Sequence, residues 1–263
     1  MTNDAPETAA ETAAETMPIG DYLAQGGKLT APDNAPPRYR AELLRLMSSF
    51  VDSELAGSAG FADAINWAPG IKERIAASRI VLEKADHAER VLDLMEGFGT
   101  DKALYNKAHD WAARSPRDAY VDARRQGGDM RLSVFHYPLE GWTDAVVMNV
   151  LMGLATGLQL EELSHCSYTP LADVLREIAP RERRHMELGL EGLERIAADA
   201  AGADEARAAI AYWRPRVAET FGAPQSERHA RLARMGLRQR PNEALRAAWE
   251  EAVNDRLAGL GLA

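Results

Sequence analysis

Apolar residues recur every three or four positions along most of the chain, and no stretch of any length alternates with a period of two. That pattern restricts the fold to helices packed on helices, because a half-buried strand needs alternation. Pro36-Pro37 end an irregular lead-in, after which Leu43, Met47, Phe50, Glu54 and Gly57 fall on one helical stripe. Pro69 opens a second helix to about Gly97, with the inner stripe Ala77, Ile80, Lys84, His87 and Val91. A third helix is expected over 101–114, then a mixed segment over 115–138 broken at Gly127-Gly128. A long apolar helix follows from Trp142 to about His165. Thr169-Pro170 read as the cap and first residue of the next helix. Its stripe is Leu171, Leu175, Ile178, Glu182, His185 and Gly189. Shorter helices are expected near 203–221, 225–235 and 242–257. The expected fold is an all-α bundle of four long core helices with additional C-terminal helices.

At 263 residues the chain is long enough to bury a sizeable core. Residues 1–35 read as a low-complexity tail, ETAAETAAET at its centre, plus the lead-in, and 36–263 as one helical domain. A net charge of −9 argues against binding nucleic-acid phosphates or an anionic membrane surface. The single cysteine, Cys166, excludes an internal disulfide framework and a cysteine-rich zinc module. It fits a reducing cytoplasm and reads as a small buried hydrophobe. No basic segment followed by an apolar run opens the chain, so no signal peptide is expected. The most apolar stretch, 145–160, carries Asn149, Gly153, Thr156, Gly157 and Gln159. It is shorter than a membrane span and reads as a buried helix.

The informative residues are those that interrupt the stripes. Glu54, Lys84, His87, Asn149, Gly153, Glu182 and His185 all take inner positions on the four long helices. Residues three apart share a helix face, so Glu182 and His185 aim a carboxylate and an imidazole at one region. Carboxylate bundles use Glu-x-x-His from two helices and a Glu from each of the other two to hold two metals. Such oxygen and nitrogen ligands suit iron or manganese. Each residue also has a plainer reading. Glu182 lies in the charged run Arg181-Glu182-Arg183-Arg184, Glu54 alone fits a surface, and His87 alone fits a satisfied core histidine.

Several words of the sequence, taken in order, resemble the phenylacetic acid catabolic family, on the side of its ring-epoxidising oxygenase subunits. They are Ser53-Glu54-Leu55, Asn66-Trp67-Ala68-Pro69, Ala85-Asp86-His87 and Phe135-His136-Tyr137-Pro138. Trp142-Thr143-Asp144, Cys166-Ser167-Tyr168, Glu182-Arg183-Arg184-His185, Trp213-Arg214-Pro215 and Phe221-Gly222 follow. The resemblance implies a ferritin-like bundle over about 37–258. It also implies a carboxylate-bridged di-iron centre that uses O₂ on the aromatic ring of an acyl-CoA, a separate reductase and an inactive sister subunit. Metal ligands carry over to Glu54, His87, Glu182 and His185.

Two further ligands do not carry over. Lys84 stands where the resemblance implies a bridging carboxylate, and Gly153 where it implies another. Pro180, two residues before Glu182, is expected to kink or restart the helix and displace that pair. Lys84 removes a ligand and adds repulsion toward iron, so it reads as a replacement for the metal's charge, paired with Glu54 and Glu182. Lys84 and Glu54 are the candidate catalytic residues. Asn149 is a candidate source of an amide oxygen, Glu83 points off the stripe, and Glu161 and Glu162 lie too far along. Trp67 and Trp142 read as core anchors, His136 as packing, and Arg183, Arg184, Arg124 and Arg125 as surface charge.

Three functions fit. The first is a diverged oxygenase-like enzyme with a mononuclear or metal-free centre, acting on a small organic acid or acyl-CoA. It predicts a cavity beside the polar cluster. The second is a non-catalytic structural subunit of a phenylacetyl-CoA epoxidase-like complex, with a Lys84 salt bridge in a filled core. The third is a subunit with an intact di-iron epoxidase centre. The expected protein partner is a sister subunit or a second copy of the chain, with no nucleic acid and no membrane. Iron is the implied cofactor, at a site two ligands short of the di-iron set.

Overall fold

The structure, a computed structural model, describes residues 18–121 and 127–263. Among them there is no strand, only one isolated parallel bridge between Leu29 and Tyr168. The fold is an all-α bundle. Helix α1 (Ile19–Ala24) precedes the long pair α2 (Pro37–Ala64) and α3 (Ile71–Glu96). A single turn, α4 (Lys102–Tyr105), leads into irregular chain, and then come the second long pair, α5 (Trp142–Leu163) and α6 (Thr169–Ala197). Helices α7 (Ala200–Ala218), α8 (Glu227–Arg234) and α9 (Asn242–Gly259) complete it. The short connections make α2 and α3, and α5 and α6, packed neighbours, and α3 lies against α6 to close the four-helix core. Helices α7 and α9 pack on the outer side of α5.

The core has two apolar parts with a polar belt between them. Tyr39, Leu43, Met47 and Val51 of α2 join Ala88 and Val91 of α3 and Leu171 to Ile178 of α6 in one part. Ala56, Phe61 and Ala64 join Ile80, the first half of α5 and the buried Trp213 and Trp249 in the other. The residues between those parts are Glu54, Lys84, His87, Glu182 and His185, all buried. The stripes of α3 and α6 are buried at every position the spacing marks.

Several expectations need correction. The helix over 101–114 is one turn. Asp101 caps it by accepting from Leu104 N–H, then Asp110 accepts from Ala112 N–H and the Trp111 indole donates to Asn106 C=O. These side chains take the backbone groups that a continuing helix would use. Thr169 is the first helical residue rather than the cap, because its N–H is bonded to Leu29 C=O. The lead-in is partly ordered onto the bundle: α1 forms, and Leu29 and Ala35 are buried. Trp67 is 39% exposed and Trp142 only partly buried, so the tryptophan anchors are Trp213 and Trp249. The tail over 1–17 and Arg124 and Arg125 lie outside the described residues.

Pro180 does not break α6. The helix runs from Thr169 to Ala197, and Pro180 sits on its exposed side. An outward position lets the ring sit where nothing packs, and the missing N–H falls on the solvent side. Glu182 and His185 therefore reach the centre undisplaced.

Among the described residues, helix α5 alone has the length and apolarity of a membrane span, but two-thirds of its most apolar window is buried inside the bundle. That is the signature of a central core helix. Glu162 near its end is buried and saturated, accepting from Arg238 Nε and from the backbone N–H groups of Gln239 and Arg240. It fastens the chain between α8 and α9 and is spent there.

Candidate functional site

The site begins with one side chain. Lys84 on α3 extends between α2 and α6, and its Nζ donates to Glu54 Oε1 at 3.1 Å and to Glu182 Oε1 at 3.1 Å. The second oxygens stand at 3.5 and 3.2 Å. Burial by itself lowers the lysine's pKa, but Glu182 and Glu54 outweigh it and the net shift is upward. The ammonium is thus charged at every physiological pH. Burial pushes the Glu182 carboxyl up, while Lys84 and the two histidines pull it down, and the result is far below the usual carboxylate range.

One turn along α3, His87 places Nδ1 3.0 Å from Glu182 Oε1 and 3.3 Å from Glu54 Oε2. Desolvation disfavours its cation, yet hydrogen bonds to Glu182 and Glu54 raise its pKa overall. His185 Nδ1 lies 3.3 Å from Glu182 Oε1, and its Nε2 pairs with Glu83 Oε2 at 2.6 Å. The two imidazoles stack at 5.9 Å between centroids. All four sequence-marked ligands, and Lys84, therefore meet in one cluster.

Two other expectations fail. Asn149 turns its amide nitrogen, not its oxygen, toward this region: its Nδ2 donates to the His185 backbone C=O at 2.8 Å. Gly189 allows that approach, since a Cβ there would stand 2.5 Å from Asn149 Nδ2. Glu83, set aside as off the stripe, is part of the site. It reaches His185 across the groove between α3 and α6, a contact that spacing along α3 does not signal. Cys166 is buried, its thiol is pushed up to about 11 by desolvation, and it donates to Tyr168 C=O, in keeping with a packing role.

The donor set can be tested against a metal. Ligand atoms of Glu54, His87 and Glu182 lie within 4.8 Å of one another, a spacing open to a single cation. His185 is oriented by a carboxylate on its other nitrogen, as metal-binding histidines usually are. A di-iron centre does not fit. The Lys84 ammonium stands in hydrogen-bond contact with both carboxylates. At Gly153 even a Cβ would meet Met186 Cβ at 2.7 Å, so Met186 fills the space a carboxylate would need.

A cavity of about 260 Å³ adjoins the cluster, with Glu54 in its wall. Phe50, Phe135, Met152 and Leu160 give it an apolar interior, and Arg228 and Arg238 also line it. A cavity here is what the diverged-enzyme reading expected and the filled-core reading did not, and the arginines, from a distant part of the chain, were expected by neither.

The family model described as Phenylacetic acid catabolic protein matches residues 25–263. A relative from Escherichia coli (strain K12), one of the subunits of 1,2-phenylacetyl-CoA epoxidase, is 25% identical over 177 residues. The match covers 66% of this chain and 52% of the relative, so the chain spans about half the length of that protein.

Proposed function

The chain belongs to the phenylacetic acid catabolic protein family, and from that premise we propose that it is a metal-free subunit in which Lys84 supplies the charge of an absent metal. One observation carries this reading: Lys84 Nζ is 3.1 Å from a carboxylate oxygen of Glu54 and 3.1 Å from one of Glu182. A fixed buried cation satisfies both carboxylates, so the ligand-type residues no longer require a metal to stay folded. The filled position at Gly153 points the same way. A core of this kind performs no metal-dependent O₂ chemistry. Its role is that of a non-catalytic partner in an epoxidase-like assembly, beside a sister subunit or a second copy of itself. The relative's name makes it one subunit of an enzyme acting on an acyl-CoA. The lone buried thiol of Cys166 suits a cytoplasmic setting.

A second reading is the diverged enzyme with a mononuclear centre. It is favoured by the clustered atoms of Glu54, His87 and Glu182 and by the Glu83-oriented His185. A cation there has to displace Lys84 from both carboxylates. Anaerobic incubation with Fe(II), followed by metal analysis, separates the readings, with Glu182→Ala and His185→Ala as controls. Iron no higher than in the controls is expected. About one iron per chain, lost in the controls, establishes the mononuclear enzyme, and about two restores the di-iron oxygenase.

A further inference from the structure

The cavity beside Glu54 contains a chemical asymmetry that the ion-paired core does not explain. Among the described residues, six buried side-chain nitrogens lack a hydrogen-bond partner. Two belong to His87 and His185. Two of the others, Gln159 Nε2 and Arg228 Nη2, belong to residues that line this cavity. Buried donors are nearly always paired, because desolvating one without a partner is costly. Two such donors on residues that line one cavity are the basis for expecting an acceptor supplied from outside the chain.

Their placement is built. Gln159 is carried by α5, three residues after Thr156, which lines the same cavity. The Arg228 guanidinium is held through Nε by Glu42 Oε2 at 3.1 Å, which leaves Nη2 as its unpaired end. Arg238, similarly held by Glu162 at 3.2 Å, and Arg45 add positive charge to the lining. Glu54, the acid in the lining, is engaged by Lys84, and the acids behind it are engaged too, Glu42 by Arg228 and Arg231 and Glu162 by Arg238. Phe50, Phe135 and Phe221 give the wall its aromatic surface, among serine and threonine side chains, His229 and Asn242.

We propose that this cavity binds a small free carboxylic acid with an aryl or alkyl body. The body lies on the aromatic wall, and the carboxylate accepts from Gln159 and pairs with Arg228. Two unpaired donors, one of them charged, call for an anion with two acceptor oxygens. A thioester offers one neutral carbonyl there. The volume supports the same choice, being just below the ~300 Å³ at which pockets for drug-sized ligands begin. This goes beyond the metal-free reading, which requires no ligand.

The test is isothermal titration calorimetry on the full chain with benzoate, phenylacetate and octanoate, their primary amides, and phenylacetyl-CoA. At least one acid is expected to bind about tenfold or more tightly than its amide and than the thioester. Arg228→Gln and Gln159→Leu are each expected to weaken that acid about tenfold, with melting temperatures checked alongside. Gln159→Glu, near-isosteric, is expected to reject the acid and turn the preference toward the amide, a change that mere unfolding cannot produce. No acid binding by the wild-type chain, tighter binding of the thioester, or acid binding unmoved in all three variants overturns the proposal. Iron uptake by the Glu54 cluster would overturn the preceding reading and leave this one standing, since neither Gln159 nor Arg228 bonds to Lys84, His87 or Glu182.

Discussion

Glu54 stands at the boundary of two regions that treat polar groups in opposite ways. On one side, the carboxylates of Glu54 and Glu182, the Lys84 ammonium and His87 Nδ1 meet one another, with His87 Nε2 left outside the set. On the other, the cavity is more apolar, yet Gln159 Nε2 and Arg228 Nη2 have no hydrogen-bond partner among the described residues. Removing a charge from the first region must leave an uncompensated charge behind. Removing Gln159 Nε2 from the second leaves no charge uncompensated, whereas removing Arg228 also takes a partner from Glu42. The contrast is one of charge: the ion-paired oxygens and ammonium serve the fold, and the donors on the cavity residues are those assigned to a ligand.

The largest effect is expected from Lys84→Met. It leaves the buried Glu54 and Glu182 without their shared ammonium and should cost about 3–5 kcal/mol in urea unfolding. A loss near zero would mean that the three charges are not coupled. Next comes Gly153→Ala, whose Cβ would press on Met186 Cβ at 2.7 Å. Overpacking of that kind costs about 1–3 kcal/mol, read from the same unfolding curves. An unchanged midpoint would show that Met186 gives way and that the position is open to a larger group.

A third prediction concerns pH. Glu182 has its pKa lowered from 4.5, so its contribution is complete above that value and is lost as pH falls through the lowered one. His87 has its pKa raised from 6.5, so its contribution is complete below 6.5 and is lost as pH rises through the raised one. Unfolding midpoints measured across pH should therefore peak between 4.5 and 6.5. In Lys84→Met the acid-side decline should begin at higher pH, because the main cation holding Glu182 down is gone. A profile identical to wild type would separate Glu182 from Lys84. The smallest effect, and the one of opposite sign, is Gln159→Leu. It removes a buried unpaired donor and should leave stability unchanged or raise it by up to ~1 kcal/mol. A clear loss would show that Gln159 has a structural partner.

The fold was legible because the apolar stripes of the four long helices coincide with burial, residue for residue in α3 and α6. Glu54, Lys84, His87, Glu182 and His185 were legible for the same reason, as polar residues in positions that burial would otherwise fill with hydrocarbon. What escaped depended on neighbours the sequence does not order. Glu83 joins the site because α3 and α6 lie side by side, so a residue beside the stripe reaches His185 across the groove. Asn149 turns to a backbone carbonyl because Gly189 lets it approach. The irregular segment after α4 is held by contacts from elsewhere. Asp52 accepts from Tyr105 and from Met130 N–H, and Arg114 donates to Ala56 C=O. Pro180 was misleading because its cost depends on which way the residue faces, and it faces out.

The central claim is that an ammonium, and not a metal, holds Glu54 and Glu182 together. Crystals grown anaerobically with Fe(II) and measured at the iron absorption edge test it at the atoms concerned. The account predicts no anomalous peak between the two carboxylates, with Lys84 Nζ in contact with both. An iron peak bound by Glu54, His87 and Glu182, with Lys84 swung out of the cluster, would contradict it.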